Sequence, residues 1–208
     1  DEIFVTKKVW RNHLHRDDLI SSMEASLGRL GLDQVDLYLI HWPNPEVPLE
    51  ETMGALELCA DEGYTRFIGV SNFPLPLLTE AQSYLRESRL FVDQVEYSLA
   101  DQRPKKDLLP YCQRNGLILV AYRPLGLGQL ARPGNPVLDE MAEKYGKTQA
   151  QVSLNWLVSQ RNVVTIPKAS NPSHMRENLG ALGWRLSRED SLRLASSFIP
   201  PLGPPSGT

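Results

Sequence analysis

Residues 35–43 read VDLYLIHWP, an apolar run that ends in a histidine, a tryptophan and a proline. Five other short apolar runs rich in β-branched residues lie along the chain, at Ile3–Thr6, Phe67–Val70, Phe91–Val95, Leu117–Ala121 and Val163–Ile166. A continuously apolar run of this length is typical of a parallel β-strand that is covered on both faces. The sequence therefore predicts six parallel strands, of which Val35–Ile40 is the second.

Amphipathic helices are predicted between these strands. Leu19, Met23, Leu27 and Leu30 recur at spacings of four, four and three residues, which places them on one face of a helix. Further helices are predicted at Leu49–Ala60, Leu108–Arg114, Val137–Tyr145, Gln149–Val158, Met175–Leu182 and Arg188–Ser196, and the Pro- and Gly-rich tail Ile199–Thr208 is predicted to be irregular. Six βα units in series indicate a parallel α/β sheet with right-handed crossovers. Both a doubly wound open sheet and a closed barrel fit this pattern.

The composition is that of a globular domain and excludes several classes of protein. The 208 residues are 41% hydrophobic and 23% charged, with a net charge of −3 and a pI of about 5.8. Lysines and arginines do not alternate with aromatic residues, so a nucleic-acid surface is not expected. No apolar stretch approaches the roughly 18 residues of a membrane span. Cys59 and Cys112 lie in helical patterns and are interpreted as small buried hydrophobic residues.

Polar side chains gather at the carboxyl ends of the predicted strands, where parallel barrels place their function. They are Lys7, Lys8, His41, Ser71, Asn72, Gln94, Glu96, Tyr122 and Lys168. Taken alone, His41 fits a structural hydrogen-bonding role and Lys8 fits a surface position. Together, the two side chains can donate hydrogen bonds to a carbonyl oxygen on which negative charge develops.

Other catalytic motifs are incomplete in this sequence. Gly126, Gly128 and Ala131 have the spacing of a dinucleotide fingerprint, but the proline- and glycine-rich residues 132–136 prevent a helix from starting there. His13 and His15 have no cysteine or carboxylate pair at ligand spacing, so no metal site is predicted. No Gly-x-Ser-x-Gly nucleophile elbow occurs.

Seven stretches, in order along almost the whole chain, resemble the aldo-keto reductases. They are Ile3–Trp10, Leu32–Pro43, Ile68–Phe73, Asp93–Tyr97, Ala121–Gly126, Ile166–Ser170 and Arg176–Asn178. The short loop Asn44–Pro48 is most similar to the bacterial 2,5-diketo-D-gluconate reductase B-like subgroup. The resemblance implies one (β/α)8 TIM-barrel domain over residues 1–208, incomplete with about six βα units because its first strands are missing.

The same resemblance implies the reduction of aldehydes and ketones with NADPH, or with NADH, as the hydride donor. Lys8 corresponds to the catalytic lysine that lowers the pKa of a proton-donating tyrosine, and His41 corresponds to the histidine that orients the carbonyl. Trp10 and Trp42 correspond to the substrate pocket. The positions that correspond to cofactor-binding residues are Ser71, Asn72, Gln94, Tyr122, Pro124, Leu125, Ile166, Lys168, Ser170, His174, Glu177 and Asn178.

The sequence also departs from the family pattern. The catalytic aspartate and tyrosine of the family precede the lysine strand, and no residue of this sequence corresponds to either. His174 stands where an arginine usually clasps the 2′-phosphate, which is expected to weaken the preference for NADP, and Arg123 replaces a usual serine. We expect the intact protein to be a monomeric, cytoplasmic reductase of small carbonyl compounds, with no nucleic-acid or membrane partner. The alternative is a catalytically inactive protein that binds a nucleotide or a protein partner.

Overall fold

The computed structural model of this chain describes residues 3–198, which form two compact units. The first unit comprises the residues up to Val95 together with Asp107–Leu119, and the second comprises Glu96–Lys106 and the residues from Val120 onward. The assignment of residues 1–208 to one barrel domain stays a prediction. No helix of the described residues is both long enough and apolar enough to cross a membrane.

The first unit contains parallel strands that follow one another in chain order. They are β1 (Thr6–Val9), β2 (Val35–Ile40), β3 (Thr65–Ser71) and β4 (Leu90–Glu96), whose last residue belongs to the second unit. Lys8 pairs with Leu39 between β1 and β2, and Ser71 pairs with Gln94 between β3 and β4. Because the strands are parallel, their carboxyl ends meet at one edge of the sheet.

Helices cover the strands of the first unit. They are α1 (Arg16–Leu30), α2 (Leu49–Asp61), α3 (Leu75–Ser83) and α4 (Leu108–Asn115). The predicted apolar face of α1 is confirmed at Leu19, Met23 and Leu27, which are buried, whereas Leu30 is 49% exposed. Cys59 in α2 and Cys112 in α4 are free and buried, as predicted, and burial raises the pKa of each thiol to about 12.

The second unit holds the remaining elements. They are β5 (Ile118–Tyr122, from Val120 in this unit), β6 (Val163–Thr165), α5 (Pro136–Tyr145), α6 (Gln149–Val158), α7 (Pro172–Leu179) and α8 (Arg188–Ser196), with 3-10 turns at Arg103–Lys105 and Gly126–Ala131. The backbone N–H of Ile166 donates to the carbonyl of Ala121 at 3.2 Å. Gly146, in the left-handed region at φ 60°, ends α5, and Thr148 begins α6 with a capping box.

Three elements differ from the sequence prediction. Helix α7 is Pro172–Leu179 rather than Met175–Leu182, because the Asn171 side chain caps the helix and a proline is compatible with its first turn. The first strand is Thr6–Val9 rather than Ile3–Thr6, because the ladder with β2 begins at Thr6 and Leu37 and leaves Ile3 78% exposed. Helix α3 was not predicted, since Pro74 and Pro76 at its start are breaker signals, although a proline is compatible with the first turn of a helix. The tail Ile199–Thr208, predicted to be irregular, lies outside the described residues.

Candidate functional site

Lys8 and His41 are brought to the same edge of the sheet by two neighbouring strands. Lys8 lies in β1, and His41 follows directly after the last residue of β2. The backbone N–H of His41 donates to the carbonyl of Val9 at 2.9 Å, so the main chain holds both residues in register. The two predicted catalytic residues therefore lie near the carboxyl ends of adjacent strands.

The surroundings lower the pKa of both side chains. Burial lowers the pKa of the half-buried Lys8. Burial, and to a smaller extent the positive charge of Lys8, lowers the pKa of His41. An imidazole whose pKa lies below its usual 6.5 is neutral at pH 7 and carries one N–H. His41 is thus suited to donate a hydrogen bond, while Lys8 supplies the positive charge.

The predicted substrate-pocket residues include a direct neighbour of His41. The Trp10 ring meets the His41 ring edge to face, with centroids 4.9 Å apart and an interplanar angle of 80°. Trp10 is 49% exposed and Trp42 is 41% exposed, so both present aromatic surface to solvent. The contact with Trp10 also restricts the orientation of the imidazole.

A hydrogen-bond network joins the predicted carboxamide-binding residues to His41. The carbonyl of Gln94 accepts hydrogen bonds from the Ser71 hydroxyl at 2.7 Å and from the Asn72 backbone N–H at 2.9 Å. The Asn72 side-chain amide donates to the carbonyl of His41 at 3.1 Å and to the Ser71 hydroxyl at 3.0 Å. Asn72 has a φ of 65°, a left-handed conformation that asparagine tolerates better than most residues. The backbone of this turn is therefore fixed by its own side chains.

The network also reaches Lys8, the predicted catalytic lysine. The ammonium Nζ of Lys8 donates a hydrogen bond to the side-chain Oε1 of Gln94, and Gln94 is only 4% exposed. Lys8, Gln94, Ser71, Asn72 and His41 form one connected set within the first unit. The sequence analysis named all five residues, but it missed the bonds from Asn72 to His41 and from Lys8 to Gln94, for which no sequence signal exists.

Tyr122 and its neighbours occupy the end of β5 in the second unit. The guanidinium carbon of Arg123 lies 6.0 Å from the centroid of the Tyr122 ring, and Arg123 forms an ion pair with Glu96 at 3.3 Å. Burial, with a smaller effect of Glu96, raises the pKa of the Tyr122 hydroxyl. Pro124 is buried, and the carbonyl of Leu125 accepts the backbone N–H groups that close the following 3-10 turn.

The remaining predicted cofactor residues lie on and before α7, also in the second unit. Ile166, Lys168 and Ser170 belong to the exposed segment that leads from β6 to this helix. The Asn171 side chain begins α7 by accepting the Ser173 backbone N–H at 2.9 Å. His174, Glu177 and Asn178 lie on α7, of which no residue is buried. Over residues 3–198, no group of three or more metal-ligating side chains occurs.

The sequence and the structure were both compared with known proteins. Residues 1–197 match the model of the aldo/keto reductase family. The chain is 40% identical over 192 residues to the glyoxal reductase of Bacillus subtilis, covering 91% of this chain and 66% of that protein. It therefore spans about two thirds of the length of this relative.

Solved structures of this family superpose closely. A thermostable aldo-keto reductase in complex with the inhibitor epalrestat is 48% identical, with a TM-score of 0.90 over 94% of this chain and 71% of that one. An aldo-keto reductase from Klebsiella pneumoniae in complex with NADPH is 33% identical, with a TM-score of 0.86 over 96% and 71% of the two chains. A structure named as a 2,5-diketo-D-gluconic acid reductase B is 33% identical, with a TM-score of 0.89 over 99% and 72%.

Proposed function

This chain belongs to the aldo/keto reductase family, and on that premise we propose that it carries the cofactor- and carbonyl-binding residues of an NADPH-dependent reductase of aldehydes and ketones. Membership confirms the predicted oxidoreductase class, and the TM-score of 0.90 confirms the predicted α/β barrel class with incomplete βα units. The observation that carries the proposal is the placement of Lys8 and His41 on adjacent strand ends, joined by hydrogen bonds to Gln94, Ser71 and Asn72.

The side chains of the first unit fit the nicotinamide end of the cofactor. A carboxamide offers one acceptor oxygen and two donor hydrogens, which the side-chain N–H groups of Gln94 and the side-chain oxygens of Ser71 and Asn72 can complement. Ser71 and Gln94 are buried, so hydrogen bonds made there are shielded from water. We assign these three residues to the carboxamide.

The resemblance to the family assigns further residues to the rest of the cofactor. Tyr122 offers a ring face for stacking, Lys168 and His174 are assigned to the 2′-phosphate, and Glu177 and Asn178 to the adenine end. Pro124, Leu125, Ile166 and Ser170 complete the proposed cofactor contacts. Because histidine lacks the bidentate guanidinium of arginine, we expect a weaker preference for NADPH over NADH than an arginine at position 174 would give.

When bound, NADPH supplies the hydride for the reduction. The neutral imidazole of His41 donates its N–H to the carbonyl oxygen, and the positive charge of Lys8 favours the negative charge that develops there. Trp10 and Trp42 are assigned to the substrate pocket, where their exposed rings can contact the carbonyl compound. The proton donor of the family is a tyrosine to which no residue of this sequence corresponds, so no proton donor is assigned here.

Glyoxal is the test substrate that similarity to the glyoxal reductase suggests, and it belongs to the small, polar carbonyl compounds that we propose. We expect His41→Ala and Lys8→Met each to lower NADPH-dependent turnover of glyoxal by the full-length protein about 10²- to 10⁴-fold, the contribution typical of a positioned acid or base. Turnover is followed by the loss of NADPH absorbance, with Lys7→Met as the matched control for the charge of Lys8. Activity of either site variant near that of the unsubstituted protein would contradict the proposal.

A second candidate function is nucleotide binding without catalysis. This function needs the cofactor-binding residues but no proton donor at the carbonyl. The two functions differ in one result: a binding protein gives saturable NADPH binding with no consumption of NADPH in the presence of glyoxal.

We also propose that the full-length protein is a cytoplasmic monomer that binds neither nucleic acid nor membranes. The net charge of −3 and the free, buried cysteines support this proposal. Light scattering after size-exclusion chromatography and fractionation of cells test it, and a stable oligomer or a membrane-bound pool would contradict it.

A further inference from the structure

We propose that Arg123, which lies over the Tyr122 ring, disfavours the binding of the oxidised cofactor NADP⁺ relative to that of NADPH. The reason is charge: the nicotinamide ring is positive in NADP⁺ and neutral in NADPH, and the guanidinium of Arg123 is positive. The inference rests on the proposed function, because it requires that the nicotinamide stacks on Tyr122. In this view Arg123 determines which redox state of the cofactor is preferred.

The guanidinium of Arg123 is held in a defined place within the second unit. Its carbon lies 6.0 Å from the centroid of the Tyr122 ring, within the range of a cation–π contact, and Nη1 lies 3.3 Å from Oε2 of Glu96. The carbonyl of Arg123 accepts the backbone N–H of Gly126 at 2.9 Å. Its φ of 49° is in the left-handed region, which a long side chain adopts only where the surrounding contacts support it. The fold thus keeps a positive charge beside this ring.

The charges of Glu96 and Arg123 both act on Tyr122, in opposite directions. Burial is the main cause that raises the pKa of the Tyr122 hydroxyl; Glu96 raises this pKa further, and Arg123 lowers it. A negative charge near the ring favours a cation that stacks on the ring, and a positive charge disfavours it. Glu96 therefore favours NADP⁺, and Arg123 opposes this effect.

The consequence concerns only the nicotinamide. NADP⁺ and NADPH share the adenosine, the 2′-phosphate and the pyrophosphate, so contacts with these groups cancel in the ratio of the two dissociation constants. A positive charge beside the stacked ring raises the dissociation constant of NADP⁺ relative to that of NADPH. The protein then binds the reduced cofactor in preference and releases the oxidised cofactor more readily after the reaction.

The test is isothermal titration calorimetry of the full-length protein with NADP⁺ and with NADPH. We expect Arg123→Gln to lower the ratio of the NADP⁺ to the NADPH dissociation constant about two- to fivefold, the size of a cation–ring interaction at a partly exposed site. Glu96→Gln removes the opposite charge and should raise the same ratio. Arg123→Lys keeps the positive charge and should leave the ratio close to that of the unsubstituted protein.

Two controls separate this effect from other roles of an arginine. Arg103→Gln removes the same charge from a more exposed position, whose effect on Tyr122 is smaller than that of Arg123, so the ratio should change less. The second control is the ligand 2′-phospho-adenosine diphosphate ribose, which keeps every phosphate and lacks the nicotinamide. Its affinity reports that each variant is folded. If Arg123→Gln weakens all three ligands by one factor, Arg123 binds a phosphate and the proposed bias is overturned.

The remaining outcomes separate the inference from the proposed function. If the unsubstituted protein binds neither cofactor, the proposed function fails and the inference fails with it. If both bind but Arg123→Gln leaves the ratio equal or raises it, the proposed function stands and the bias is overturned. An equal decrease in Arg123→Lys would also overturn it, because the charge would then not be the cause. Arg123→Gly, which suits the left-handed backbone, replaces the glutamine variant if that variant does not fold.

Discussion

At the scale of single residues, Asp93 is an acidic side chain that is completely buried in the first unit. It precedes Gln94 in β4, is 0% exposed, and neither carboxylate oxygen has a hydrogen-bond partner of normal geometry in the described structure. Burial raises its pKa well above the usual range, against a smaller opposite effect of the Phe73 backbone N–H. A buried carboxyl of this kind costs stability when it ionises.

We expect Asp93→Asn to raise the free energy of unfolding at pH 7 by about 1–3 kcal/mol, because the amide carries no charge to desolvate. Between the unfolded pKa of about 3.9 and the higher folded pKa, the folded protein binds more protons than the unfolded chain. The parent protein therefore loses stability as pH rises through this window, and the advantage of the variant disappears below about pH 4.

Urea denaturation at pH 7 and at pH 4 measures this difference, with Asp33→Asn at an exposed position as the control. Asp93→Asn less stable than the parent at pH 7, or equally stable at both pH values, would show that the carboxylate is compensated in the folded protein.

The residue scale also shows what sequence could predict of the site. Lys8, His41 and Gln94 were identifiable because each lies near the carboxyl end of an apolar run. Their hydrogen-bond partners could not be identified, because the sequence around a glutamine at a strand end does not indicate whether its side chain contacts a lysine or a ligand. The assignment of the cofactor residues remains a prediction for the same reason.

At the scale of secondary-structure elements, Gly69 determines how closely β3 packs against its neighbours, at the point where its register with β4 shifts. A Cβ at this position would lie 2.6 Å from Cδ2 of Leu39 and 2.7 Å from the carbonyl oxygen of Val92. The backbone oxygen cannot move without disturbing the strand. Only glycine therefore allows the close approach of these strands.

We expect Gly69→Ala to lower the free energy of unfolding by about 1–3 kcal/mol, the cost of overpacking a close-packed core. Gly54→Ala is the matched control: the site is on α2 and has no atom within 4 Å of the added Cβ, so a gain of about 0.5–1 kcal/mol is expected from helix propensity. Urea midpoints of the two variants should move in opposite directions. A neutral Gly69→Ala would mean that the strands can separate at no cost.

Element positions were predictable where the pattern was strong. The strand Val35–Ile40 and the helices either side of Gly146 match the structure, because apolar runs and capping residues specify them locally. Strand β1 was misplaced because its polar residues Lys7 and Lys8 pair through the backbone, which hydrophobicity does not detect.

At the scale of the whole molecule, the order of the family motifs was sufficient to predict the fold, and a solved family member superposes with a TM-score of 0.90. The residues proposed for the reaction are a less complete set than the elements of the fold. The first unit holds Lys8 and His41 with the proposed carboxamide residues, and the second holds the residues proposed for the phosphates and the adenine. The proton donor is the part of the mechanism that these residues do not supply.

The central claim is that this protein transfers a hydride from NADPH to a carbonyl carbon. The most direct measurement uses NADPH deuterated at C4 of the nicotinamide with glyoxal, followed by mass spectrometry of the alcohol product. We predict one deuterium bound to carbon in each molecule of product, and a much lower yield of that product with His41→Ala. An alcohol without deuterium, or no alcohol from a protein that binds NADPH, would contradict the claim.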